Sequence, residues 1–251
     1  MIARARRPER LAAALLLVVL PLVCWAWIVV MARDMYGPMT GASAWMMTPV
    51  WDGPHLFLLW AMWAVMMAGM MLPTASPMIL TYADVARRTT PEAISGRLYA
   101  ITGGYVTVWA LFSVGATALQ RLLVDSHLLT PMMESTRAAG GALLLVAGAY
   151  QVTPFKHACM RACQSPAGFL IGHWRNGAAG AFVMGVQHGV SCVGCCWALM
   201  LLLFAGGVMN LGVIAALTAF VAFEKLAPIG PGGAWISGLL LAATGFWMLV
   251  R

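Results

Sequence analysis

The sequence predicts an all-α polytopic transmembrane helical bundle of about six to seven spans. Three observations predict it. Of 251 residues, 62% are apolar and only 9% are charged, where a soluble domain carries about a quarter charged residues. Mean hydropathy is +0.85. The apolar residues fall in long runs, and a helical span needs roughly 20 of them. The same figures exclude a disordered chain, which is poor in apolar residues. Residues 1–251 read as a single integral membrane domain, with no room for a soluble one.

The runs lie near 11–32, 55–83, 98–120, 138–153, 178–206, 209–225 and 233–250. The first follows Arg4, Arg6, Arg7 and Arg10. It is longer than a signal-peptide core and lacks a clear small-residue cleavage site, so it reads as a retained helix. Pro73 and Pro77, near the end of the second run, read as non-helical signals, as do Pro228, Gly230 and Pro231 between the last two. The 138–153 run is short. The 178–206 run is long and contains Gly180, Gly185, Gly189 and Gly194. A broken, re-entrant or steeply tilted segment is expected in one of them. Gly103-Gly104, Gly140-Gly141 and Gly206-Gly207 read as close helix packing or turns.

The formal charge is +7, from 15 Lys and Arg against 8 Asp and Glu. In a soluble protein that balance points to nucleic acid; here the basic residues sit in short loops and set topology. With the N-terminus in the cytoplasm, eleven of them fall inside: Arg4, Arg6, Arg7, Arg10, Arg87, Arg88, Arg97, Lys156, Arg161, Arg175 and Lys225. Four fall outside: Arg33, Arg121, Arg137 and Arg251. This predicts a bacterial inner-membrane protein with a cytoplasmic N-terminus. No P-loop, dinucleotide fingerprint, Ser-His-Asp set or catalytic carboxylate pair occurs, so nucleotide and nucleic-acid partners and hydrolytic chemistry find no support. An enzyme is the less favoured reading.

Two excesses carry information: 19 Met and 6 clustered Cys. His157, Cys159 and Cys163 lie in the loop Thr153-Pro-Phe-Lys-His-Ala-Cys-Met-Arg-Ala-Cys163. Cys159 and Cys163 are four apart, so one helical turn brings both to one face. The fifth run carries His188, Cys192, Cys195 and Cys196. With His188 at zero on an ideal helix, Cys192 falls near about +40°, Cys195 about −20°, Cys196 about +80° and Met184 about −40°. Met184, His188, Cys192 and Cys195 thus form one stripe of nitrogen and sulfur donors near the middle of the run. Thiolate and thioether select Cu(I), and thiolate with imidazole also suits Zn. A single buried Cys packs as a small hydrophobe, but a His and three Cys within nine residues point to a metal or a redox site. The four-ligand arrangement would need the loop pair to meet the helix group.

The second run reads as two methionine lines, Met62, Met66 and Met70, with Met67 and Met71 alongside. Thioethers bind Cu(I) weakly enough to pass it on, which suits a path; they also fill gaps in apolar packing. Upstream, Met31, Met35, Met39, Met46 and Met47 precede His55 and form a candidate recruiting loop, anchored by Trp45 and Trp51. Asp84 and Glu224 lie near span ends; Glu224 is expected to pair with Lys225 or a loop Arg. His127, Glu134 and His173 read as solvated.

Several segments together carry a family resemblance. They are Ala68-Gly-Met-Met-Leu-Pro-Thr-Ala-Ser-Pro77, Thr153-Pro-Phe-Lys-His-Ala-Cys159 with Cys163-Gln-Ser-Pro166, Gly189-Val-Ser-Cys192-Val-Gly-Cys-Cys-Trp-Ala-Leu-Met200, Gly207-Val-Met-Asn-Leu211 and Phe223-Glu-Lys-Leu-Ala-Pro228. Over about residues 55–250 the chain resembles the bacterial family of predicted metal-binding integral membrane proteins, which has no assigned function. The resemblance implies a polytopic helical protein with Cys159, Cys163, His188, Cys192, Cys195 and Cys196 as ligands.

The expected function is binding and transport of a soft metal ion, Cu(I) first and Zn second. Met184 would join the ligands, and His55 would stand at the head of the methionine path. Expected partners are the lipid bilayer, the ion, a metallochaperone or partner membrane protein, and a second copy of the chain. Two alternatives stay open: a transmembrane thiol–disulfide carrier using Cys192 and Cys195, and an accessory subunit for metalloenzyme assembly.

Overall fold

The computed structural model describes residues 7–37, 39, 44, 51–89, 94–129, 135–227 and 230–250. Among these the chain is helical throughout, apart from turns and one isolated bridge between Leu129 and Ser135. Helix α1 (Arg7–Ala14) continues through a π-helical turn (Leu15–Val19) into α2 (Leu20–Met35). Then follow α3 (Gly53–Thr89), α4 (Ile94–Asp125), α5 (Arg137–Gln151), α6 (Pro154–Gln164) and α7 (Pro166–His173). The chain closes with α8 (Gly177–Met200), α9 (Leu202–Gly206), α10 (Leu211–Leu226) and α11 (Gly230–Val250).

Five stretches among the described residues are long and apolar enough to cross a membrane: Pro8–Met35, Gly53–Arg88, Ile94–Asp125, Gly177–Gly206 and Gly232–Val250. A sixth arises if α5 and α6, bent by 69° at their junction, count as one broken span. The segment expected at 209–225 is α10, which has 16 residues. At about 1.5 Å per residue that is roughly 24 Å, short of a ~30 Å hydrocarbon core. The break falls at the short fourth run, as one of the two expected places. The long fifth run is unbroken to Met200.

Local chemistry fixes the helix starts. Asp52 Oδ1 accepts the His55 N–H at 2.9 Å at the head of α3. Thr136 caps α5, and Thr153 caps α6 with Pro154 in the first turn. Asn210 Oδ1 accepts from Gly212 and Val213 at the start of α10. The turn before it uses Gly207 at φ +92°, a conformation only glycine takes without strain.

Pro73 and Pro77 do not end α3, which runs on to Thr89. Each proline removes the N–H that would bond the carbonyl four residues back. Other donors replace it. The Trp25 indole N–H donates to Gly69 O at 3.2 Å, and Ser76 Oγ donates to Pro73 O at 2.8 Å. Freed carbonyls that find such donors make proline tolerable inside a long apolar helix.

Helices α4 and α8 touch backbone to backbone. A Cβ on Gly185 would lie 2.0 Å from Ile101 O, and one on Gly104 would lie 2.1 Å from Phe182 O. This contact sets the height of α8 against α4, and with it everything that α8 carries. Gly185→Val therefore forces two backbones apart. We expect it to destabilise by at least the 1–3 kcal/mol typical of overpacking, read as a lowered thermal midpoint in detergent. Gly103→Ala, where a Cβ meets open space, should leave the midpoint unchanged.

Methionine dominates the core. Met62, Met66, Met67, Met70 and Met71 are all fully buried, and Met31 and Met35 of α2 are buried as well. Met46, Met47, Trp45, Glu134 and Pro228 lie outside the described residues. Outward faces are apolar, with Leu239, Leu240 and Phe246 well exposed, which is compatible with lipid surroundings.

Candidate metal centre

The centre forms where five helices meet around Cys192. From α8 come Cys192, Cys195 and Cys196, all essentially buried. The Cys195 and Cys196 thiols donate back to Cys192 O at 3.1 and 2.9 Å. From α6, Cys163 Sγ lies 3.9 Å from Cys195 Sγ. From α4, the Tyr105 hydroxyl lies 3.0 Å from Cys192 Sγ and 3.1 Å from Met71 O. From α10, Lys225 Nζ donates to Cys192 Sγ at 2.8 Å and to Thr74 Oγ1 of α3 at 3.2 Å. The same nitrogen is 3.9 Å from Met71 Sδ. All six cysteines are free thiols.

The electrostatics are unusual for so apolar a place. A buried ammonium is costly unless an anion faces it. Here the partner is a sulfur, because the neighbouring carboxylate is turned elsewhere. Glu224 pairs with Lys156 at 2.8 Å, with the side chains 9% and 2% exposed. The Gln151 amide donates to Glu224 at 3.0 Å, and Lys156 also bonds Gln151 Oε1. The expected pairing of Glu224 with Lys225 is therefore replaced by Glu224–Lys156 and Lys225–Cys192. Consecutive helix residues point about 100° apart and do not face each other.

Lys156→Met should strand the Glu224 carboxylate in the interior. Breaking one side of a buried pair costs about 3–5 kcal/mol. The double change Lys156→Met with Glu224→Gln should recover most of that loss in the same thermal measurement.

The other named residues fall as follows. His188 is 4% exposed, with its ring against Tyr105 at 5.8 Å and Phe169 at 5.3 Å. Its Nδ1 is buried and finds no hydrogen-bond partner among the described residues. Met184 Sδ accepts the Arg175 N–H at 3.3 Å. It stands about 12 Å along α8 from Cys192, at eight residues' rise. Cys159 lies over Gly194, where a Cβ would come within 2.7 Å of its Sγ. Met71 touches the centre directly. Met67, Met70, Met66 and Met62 continue up α3 toward His55, itself 2% exposed. His173 is held by Phe169, with Nδ1 2.9 Å from its carbonyl.

Two residues here escape sequence reasoning. Tyr105 gives no signal in a run of aromatic and apolar residues. Lys225 gives one, since a lysine at the end of an apolar helix is a functional flag, but it also reads as a topology marker.

The donors present suit a soft, univalent ion better than a closed cage. Two sulfurs each about 2.3 Å from one ion are roughly 3.8 Å apart at a tetrahedral angle and 4.6 Å apart in a line. The Cys163–Cys195 spacing of 3.9 Å lies in that range. Among the described residues no group of three Cys, His, Asp or Glu is disposed to hold one ion, and structural zinc takes four ligands. The orphaned His188 Nδ1 is a further soft-to-borderline donor beside the sulfurs.

No curated protein and no solved structure matches the chain. A family model described as copper chaperone (PpoB2) matches residues 60–248, a stretch that contains every residue of the thiol centre. The chain belongs to that family of copper chaperones.

Proposed function

We propose that this protein is an integral membrane copper handler that takes up Cu(I) along the methionine column of α3, holds it between Cys163 and Cys195, and passes it to a partner protein. The observation that carries the proposal is the 3.9 Å sulfur pair, made by two helices, with Lys225 Nζ on the neighbouring Cys192 Sγ at 2.8 Å. Two thiolates and one Cu(I) carry a net charge of −1, and the Lys225 ammonium balances it in a medium that penalises bare charge. The thioethers Met62, Met66, Met67, Met70 and Met71, with His55 at the head of α3, line the approach and meet the centre at Met71. Cys192, Cys196, Cys159 and His188 form the surrounding donors, and Met184 serves as a more distant one. An inner-membrane location with a cytoplasmic N-terminus belongs to the same reading.

Chaperone function suits such a pair. Few ligands mean that a partner's thiol can attack the ion without a cage opening first. Transport as such, from one face to the other, needs only that both ends of the column be open.

The thiol–disulfide alternative draws less support than the sequence alone gave it. Cys195 Sγ is turned onto Cys192 O, so the sulfur opposite Cys195 is Cys163. The deciding experiment is metal analysis of purified full-length protein loaded anaerobically with Cu(I). About one copper per chain is expected, with none retained by metal-loaded controls that lack Cys163 and Cys195. A metal-free protein after loading would remove the proposal.

A further inference from the structure

A cleft of about 630 Å³ opens between α6, α10 and α11. Its polar wall is Lys156, His157, Met160, Arg161 and Gln164 of α6, with Glu224 of α10 facing them. The cleft stops one residue short of the thiol centre on two helices at once. Gln164 precedes nothing but the cap of α6 and adjoins Cys163; Glu224 adjoins Lys225. The last turn of α10 is thus a partition, with Glu224 on the cleft side and Lys225 on the sulfur side. A hydrogen bond from Gln164 Nε2 to Glu224 O, 2.8 Å, spans the neck between them.

We propose that this cleft is the port through which Cu(I) leaves the Cys163–Cys195 pair, with Met160 and His157 as its stepping donors. This rests on the copper reading above. His157, Met160 and Cys163 follow one another at three-residue intervals on α6. Residues three apart are neighbours on a helix surface, with Cβ atoms about 5–6 Å apart. Thioether and imidazole are the neutral donors that bind Cu(I) without trapping it. In the first step the Cu–S(Cys163) bond breaks as a bond to Met160 Sδ forms, and in the second the Cu–S(Cys195) bond breaks as a bond to a His157 ring nitrogen forms. Each thiolate keeps its electron pair, the copper stays Cu(I), and no oxidant or reductant is needed. Arg161 is exposed at the mouth. It disfavours a bare cation and favours Cu(I) carried on an anionic thiolate or chelator.

The test uses full-length protein loaded with Cu(I), mixed with excess of an anionic sulfonated Cu(I) chelator, and follows the rate of copper removal. Ala234→Trp fills the cleft from α11, opposite the donors; Met160→Leu and His157→Gln remove the donors at similar size. All three should load to the wild-type copper content. Removal should slow at least tenfold in Ala234→Trp and severalfold in the other two. Full loading with wild-type removal rates in Met160→Leu and His157→Gln would overturn the port and leave the copper centre standing. Loss of copper content in Met160→Leu would make Met160 a resident ligand and would also overturn it. A wild-type chain that binds no copper would overturn the reading on which the port depends.

Discussion

Changing both Cys163 and Cys195 to serine should abolish copper retention. A hydroxyl is nearly the same size as a thiol but is a hard, protonated donor that Cu(I) does not favour. The 3.9 Å contact between these two residues joins sulfurs of two different helices at the centre. Each single change should weaken binding by more than the ~10–100-fold that follows loss of a mere outer-shell partner. The double variant should fall below detection by metal analysis. Cys24→Ser gives the control. That residue of α2 packs against Gly69 of α3, and its loss should leave one copper per chain. Cys159→Ser, which lies over Gly194, should cost less than either central cysteine. Equal losses at Cys24 and Cys163 would mean that the sulfurs serve packing only.

Lys225→Met should give the second largest effect. The change keeps length and an apolar stem but deletes the charge 2.8 Å from Cys192 Sγ. A unit charge pair about 4 Å apart is worth roughly 4 kcal/mol at an effective dielectric of 20. Loss of the balancing cation should therefore weaken Cu(I) binding by up to about a thousandfold, measured by competition with a chelator of known affinity. Lys225→Arg keeps the charge and should stay much closer to wild type. The opposite sign, tighter binding in Lys225→Met, would mean that the ammonium occupies the place of copper and competes with it.

The helical architecture was legible because it depends on composition and run length, both local properties. The donor stripe of α8 was legible for the same reason, since 100° per residue puts His188, Cys192 and Cys195 together, and all are buried. The methionine lines of α3 likewise turn inward as their spacing required. What was not legible depends on contacts between distant segments. Nothing local says that Cys163 meets Cys195, thirty-two residues away, or that Tyr105 reaches Cys192. Pro73 and Pro77 read as non-helical signals because the donors that rescue Gly69 O and Pro73 O, Trp25 and Ser76, are a matter of packing and rotamer. Lys225 was hidden by its neighbour, since Glu224-Lys225 looks like an ion pair in a string of letters and is not one on a helix.

The 69° elbow between α5 and α6 gives Cys163 an unusual mechanical position. It sits at the far end of an arm that starts at Pro154, nine residues and about 14 Å away. A swing of roughly 10° at the elbow displaces the tip by about 2.4 Å over that length. Directed along the line between the two sulfurs, such a tilt takes them from 3.9 Å to about 6 Å while every helix stays intact. The spacing of these two sulfurs is therefore geared to a joint, and it can change by rotation of an intact helix rather than by unfolding.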